Sequence, residues 1–180
     1  MDLWKTTSRL SVAALMLLSA ACASSSTVKS NKLASYAGGI KRLFVEASLG
    51  TALLNKASGD ETAVFTSTLV DTLAKCGTQT QVHLKDALDL NNDAGQLIRQ
   101  FNPDSILNVT WQSEKSGSNV PVSTVYILSL VDIKSKAVVW KAEVDFVSRW
   151  QAGVTLAGSV IGQMKQDGLI DASCTVPAAK

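Results

Sequence analysis

The sequence predicts one α/β (α+β) domain: a single mixed sheet of about five strands in the order β-α-β-α-β-β-β-α, with helices packed mainly on one face. Three observations carry this. Apolar residues recur at helical spacing in two segments that end on glycine, Phe65-Leu69-Leu73 before Gly77 and Ala157-Val160-Ile161-Met164 before Gly168. The stretch "AVVWKAEVDF" alternates apolar and charged residues with period two. Helices joining the early strands imply parallel pairing there, whereas the tight connections late in the chain imply an antiparallel meander.

Taken in order, Leu43-Phe44-Val45 is the β-rich centre of the first strand. Ser58-Gly59-Asp60-Glu61 has the S-x-x-E form of a capping box and opens the first helix, with Cys76 extending its stripe up to the stop at Gly77. Residues 80–84 form a short strand. A second helix covers about 92–101, where Ala94, Leu97, Ile98 and Phe101 stand at i, i+3, i+4 and i+7, and Pro103 prevents its continuation. "SILNVTW" is the next strand, the polar segment 112–121 is a loop, and "VSTVYILSLVDI" is apolar on both faces, as a central strand would be. After the bend at 133–136, Val138, Trp140, Ala142, Val144 and Phe146 should face one way and Lys141, Glu143 and Asp145 the other. The last helix runs over about 152–167; Gly168 ends it and lets Leu169 fold back onto Met164.

A formal charge of +2 on 180 residues leaves no basic footprint for nucleic acid. Residues 1–21 read as a signal peptide: Lys5 and Arg9 precede the apolar run "LSVAALMLLSAA". That run fits the ~7–15 residues of an h-region and falls short of the ~20 that a spanning helix needs. Two modes of processing compete after it. Ala21-Cys22-Ala23 offers an ordinary A-x-A cut, which would release a soluble periplasmic protein. Ser19-Ala20-Ala21-Cys22 resembles the lipobox of bacterial lipoproteins, with Ser19 where that family usually has Leu. We favour the second, in which the Cys22 thiol accepts a diacylglyceryl group and the new amino terminus an acyl chain; no other cofactor is expected. Residues 22–39, rich in Ser, Ala and Gly, then read as a lipidated flexible tether, about 20–25 Å end to end. Residues 40–170 are the domain and 171–180 a loose tail. With Ala23 and Ser24 after the cysteine, the likeness to sorted lipoproteins implies the periplasmic face of the outer membrane.

Once Cys22 is removed from the thiol pool, Cys76 and Cys174 are an even pair in a compartment that permits disulfides. They either bridge or remain two buried thiols. No metal site is expected: Asp89-Leu90-Asn91-Asn92-Asp93 opens like a calcium loop but has Ala94 and Gln100 where that loop needs Gly and Glu. His83 is the only histidine, and a Cys76–His83 nucleophilic pair is disfavoured because a helix C-terminus opposes a thiolate. Gly158-x-x-x-Gly162 is a small-residue face on the last helix, suited to close packing or to a docked partner. Asn108-Val109-Thr110 matches a glycosylation sequon only incidentally.

The segments "ETAVFTSTLVDTLAKCG", "FNPDSILNVTW", "LSLVDIKSKAVVWKAEVDF" and "GQMKQDGLI", covering about 40–170, resemble small Gram-negative envelope lipoproteins. The related domains are the amino-terminal domain of the Tol-system propeller protein, the penicillin-binding-protein activator lipoprotein and the curli secretion-channel lipoprotein. None of these motifs is catalytic, so the resemblance implies a non-enzymatic, lipid-anchored adaptor that binds an envelope protein. A carrier or chaperone for an envelope lipid or glycan is the alternative.

Overall fold

The computed structural model describes residues 26–50, 60–85, 93–117, 120–147 and 151–177. Six strands form one open mixed sheet: β1 (Ser26–Lys32), β2 (Arg42–Ser48), β3 (Gln79–Leu84), β4 (Ser105–Gly117), β5 (Val120–Asp132) and β6 (Ala137–Phe146). Their order across the sheet is β1-β6-β5-β4-β2-β3. β2 pairs parallel with β3 and β4, and the β4-β5-β6-β1 portion is antiparallel. The expected mixed α+β sheet is present, with six strands where about five were counted.

The sixth is β1, which lies inside the segment read as a flexible tether. Its sequence, STVKSNK, has one apolar residue and is poor in strand formers. Pairing with β6, from Ser26 opposite Phe146 to Lys32 opposite Trp140, imposes the extended form. The polar segment 112–121 is likewise no simple loop, because β4 and β5 run through most of it as a long hairpin.

Among the described residues, three helices cover the sheet: α1 (Glu61–Lys75), α2 (Ala94–Phe101) and α3 (Ala152–Gln166). α1 and α3 share one face, where Phe65, Leu69, Leu73, Leu156, Val160, Ile161 and Met164 pack on Leu43, Val45, Leu107, Leu128, Leu130 and Trp140 in a single core. Phe44 alternates to the other face and meets Phe101 of α2 at 6.2 Å. Arg42 closes that end of α2: Nε donates to the Asn102 carbonyl at 3.0 Å, the guanidinium also donates to the Phe101 carbonyl, and it stacks on the Phe101 ring. Asp104 Oδ2 accepts from the Lys41 and Arg42 amides at 2.8 and 3.0 Å, so the N-P-D segment that ends α2 also fastens the start of β2.

Both glycine stops behave as expected. Leu169 N donates to Met164 O and Gly168 N to Lys165 O, while Thr78 N donates to Leu73 O and Gly77 N to Ala74 O, a Schellman pair of bonds at each helix end. The start of α1 differs. Its cap is Asp60, which accepts from the Ala63 amide at 3.0 Å, and Ser58 lies outside the described residues. Glu61 is buried and serves the neighbouring helix instead, accepting from Gly153 N at 2.8 Å. α3 has no side-chain cap of its own, so this carboxylate satisfies one of its free N–H groups. The alternation along β6 also breaks once. Leu130 faces Trp140 but Val131 faces Val138, leaving Val139 unmatched. This bulge turns both Val139 and Trp140 into the core and leaves Val138 exposed.

The tail is not loose. Cys76 and Cys174 are joined by a disulfide with Cα atoms 5.0 Å apart, and Cys174 is buried. Lys165 Nζ donates to the Cys174 carbonyl at 2.7 Å. Beyond it the chain crosses α3, where a Cβ on Gly158 would lie 2.6 Å from Pro177 O and one on Gly162 3.6 Å from Val176. The small-residue face, read as suited to close packing or to a docked partner, is packed against the chain's own tail.

Candidate functional site

Cys22 lies outside the described residues; the strand that begins four residues after it in sequence opens at one end of the sheet. Ser26 is opposite Phe146, Phe146 is opposite Thr124, and Thr124 is opposite Glu114. β2 and β3 finish toward this same end, because both run parallel to β4. Here Tyr126 stacks on Phe146 with centroids 6.0 Å apart, and its hydroxyl donates to Leu49 O at 2.6 Å. Burial pushes the Tyr126 phenol well above its ordinary range, so it remains a neutral donor.

On the helix side, β1 is held by a polar clamp. Gln163 Nε2 donates to Ser30 Oγ at 2.8 Å and to Asp167 Oδ1 at 3.1 Å, and Trp140 Nε1 donates to Asp167 Oδ2 at 2.6 Å. Partial burial opposes ionisation of Asp167, but hydrogen bonds from Ser30, Trp140 and Gln163, with Lys32 nearby, outweigh it and hold the carboxyl below its usual range. A carboxylate with a depressed folded pKa contributes stability that is complete above the unfolded value of about 3.9 and is lost as pH falls through the folded one. Urea unfolding at pH 5 and pH 3 should therefore give lower stability at pH 3. Asp167→Asn should reduce that difference without abolishing it, because Asp132, Asp145 and Asp171 are also held below their ordinary range; an unchanged slope in the variant would remove Asp167 from the clamp.

On the opposite face, alternate residues of β1, β6 and β5 stand side by side. Lys29, Asn31, Lys141 and Glu143 surround Ile127 in a groove of about 330 Å³. Farther along, Lys115 Nζ lies 2.8 Å from Asp145 Oδ2. The bond from Lys115 holds the Asp145 carboxyl below its ordinary range, and that carboxylate raises the lysine. The groove and ion pair depend on β1 and the long hairpin, neither of which the sequence reading supplied. The charged residues of β6 gave the only signal.

The other candidate residues fall elsewhere. His83 is on β3, the edge strand opposite β1, stacked on Phe44 at 6.4 Å. The Cys76–His83 pair disfavoured from the sequence has no free thiol, since the Cys76 sulfur is bonded to Cys174. Residues 89–92 of the calcium-like segment lie outside the described residues; Asp93 accepts the Gln96 and Leu97 amides on its backbone carbonyl at the start of α2. Among the described residues, no group of three His, Cys, Asp or Glu side chains is placed to hold a metal ion, and no helix is long and apolar enough to cross a membrane.

No family model matches the chain, and no curated protein matches it. Among solved structures it aligns with the PelC dodecamer from Paraburkholderia phytofirmans at 21% identity, over 77% of this chain and 94% of that one, with a TM-score of 0.45. It also aligns with lipoprotein GNA1162 from Neisseria meningitidis at 14% identity, over 69% of this chain and 96% of that one, with a TM-score of 0.37.

Proposed function

We propose that this chain is a lipid-anchored envelope lipoprotein, held at the periplasmic face of the outer membrane, where it acts as a protein-binding adaptor in envelope assembly or maintenance. The observation that supports this is the closeness of Cys22 to β1. Four Cα–Cα steps separate Cys22 from Ser26. Whatever its conformation, that link spans no more than about 14 Å. Acyl chains on Cys22, each buried CH₂ contributing about 0.8 kcal/mol, would hold the Ser26 end of the sheet against the bilayer. The mechanism is positional: the anchor fixes one end and leaves the outer face, with Lys29, Lys141 and Glu143 around Ile127, available to an envelope partner. The motifs that resemble Tol-system and related envelope lipoproteins fit the same reading. The carrier alternative would need an apolar cleft between helices and sheet; the described side chains there, Leu43, Val45, Leu69 and Val160 among them, are fully buried against one another.

Cys22→Ala is the direct test. The variant should lose acyl mass and move from the outer-membrane fraction to the soluble periplasm, with the fold unchanged by circular dichroism. A variant that still fractionates with the outer membrane would overturn the anchor.

A further inference from the structure

We propose that β1 is a releasable strap, which switches the domain between a short attachment at the Ser26 end of the sheet and a long attachment at the opposite end. The consequence for reach rests on the lipid-anchor reading above; the motion itself does not.

The strap is weakly held along its length. β1 is the outermost strand and bonds to β6 alone. None of its seven side chains is fully buried, and its one apolar residue, Val28, is only half-buried. By contrast β5, one strand further into the sheet than β6, contributes Tyr126, Leu128 and Leu130, all fully buried. Beyond the backbone ladder, the direct side-chain bonds between the body and β1 converge on one residue, Ser30, which meets Gln163 and Asp167. Segments with few apolar contacts and solvent-accessible ladders are the units that open locally, well before the whole domain unfolds.

The strap is firmly held at one end. Gly39 N and Ile40 N both donate to Leu169 O, at 2.9 and 3.2 Å. Gly38 lies so close to the end of α3 that a Cβ on it would be 2.1 Å from Gly168 O. This point lies beyond the Lys32 end of β1, at the end of the sheet opposite Ser26. With β1 paired, the link from Cys22 has four residue steps and spans about 14 Å at most. With β1 released together with the Leu33 amide bond to Val139 O and the Tyr36 contacts that follow it, the fixed point becomes Gly39, 17 steps from Cys22. The contour is then about 60 Å, and the mean end-to-end distance is about 20–25 Å. The composition of 22–39, poor in strand formers, describes the released state, and the pairing with β6 describes the docked one.

Hydrogen–deuterium exchange on the full-length protein in detergent tests the motion. Peptides covering 26–32 should exchange about 100-fold or more faster than those covering 126–130, because they open without global unfolding. Gln163→Ala should raise exchange in β1 while leaving the thermal midpoint in place. Trypsin should cut first after Lys29 and Lys32. Locking the cross-strand pair with Asn31→Cys and Lys141→Cys should slow that cleavage about 10-fold or more relative to Asn31→Cys alone, since cleavage tracks the open population. Exchange of β1 only at the global rate, in the native protein and in Gln163→Ala alike, would overturn the strap, as would cleavage indifferent to the lock. The acyl mass on Cys22, measured on the same preparation, separates the two readings. A strap that opens on a chain without acyl groups defeats the anchor alone, and an acylated chain whose β1 never opens defeats the strap alone.

Discussion

Gly153→Ala is expected to lower the thermal midpoint by about 5–20 °C. A Cβ at this position would lie 2.2 Å from Glu61 O and 2.8 Å from Phe65 N, both backbone atoms of α1. Neither can swing aside, so α1 and α3 would have to separate. That separation opens the layer of Phe65, Leu69, Leu156 and Val160 and breaks the bond from Gly153 N to the buried Glu61 carboxylate. Overpacking of this kind costs about 1–3 kcal/mol, sometimes more. A buried acceptor left without its donor adds about 1–3 kcal/mol. For a domain of this size each kcal/mol moves the midpoint by about 2–4 °C. The other two glycines of α3 give the control. Gly162→Ala meets only Val176 at ordinary contact distance and should be neutral or stabilising, because Ala is the better helix former by about 1 kcal/mol. Gly158→Ala would strike Pro177 O at 2.6 Å, but the tail can shift, so its cost should fall between the two. Calorimetry on the three variants checks the order; Gly153→Ala melting with the native protein would show that the helices do not approach this closely.

Removing the disulfide should have the second large effect. Cys76 and Cys174 are 98 residues apart, and closing a loop of that length stabilises by about 4–5 kcal/mol on the chain-entropy model. Native bridges measured by deletion contribute about 2–5 kcal/mol. Cys76→Ser, Cys174→Ser and the double variant should therefore fall together, about 6–15 °C below the native protein on the scaling above. The double variant should be indifferent to reductant, while the native protein in reductant should match it. Release of residues 174–177 should also uncover Gly158 and Gly162, read as faster amide exchange along that side of α3. A native protein whose midpoint is unmoved by full reduction would refute the contribution assigned to the bridge.

The core was legible because its signals are local and repeated. Phe65-Leu69-Leu73 and Val160-Ile161-Met164 show their stripe to anyone counting by three and four. Gly77 and Gly168 end their helices where a left-handed residue is needed, with φ of 76° and 68°. The parallel β2-β3-β4 portion follows from crossovers through helices, which forbid a hairpin. Glu61 shows the limit of such reading. An acidic residue in a first turn looks like a cap for its own helix, yet its carboxylate turns to the start of α3, 92 residues away in sequence. No local pattern encodes that choice; it exists only once the two helices are packed.

The same division runs through the candidate site. By itself the sequence determined the mixed sheet with helices mainly on one face, and it set the expectation of an export signal and of Cys22 as the odd cysteine beside an even pair. These depend on composition, spacing and period. Only the tertiary structure decided that STVKSNK is a strand, that the tail crosses α3, and that Ser30, Trp140, Gln163 and Asp167 meet. A strand with one apolar residue has no periodic signature, and the free edge of β6, not its own propensity, makes it extended. The strand lies within the residues read from sequence as a tether, and the neighbour that pairs with them makes them extended.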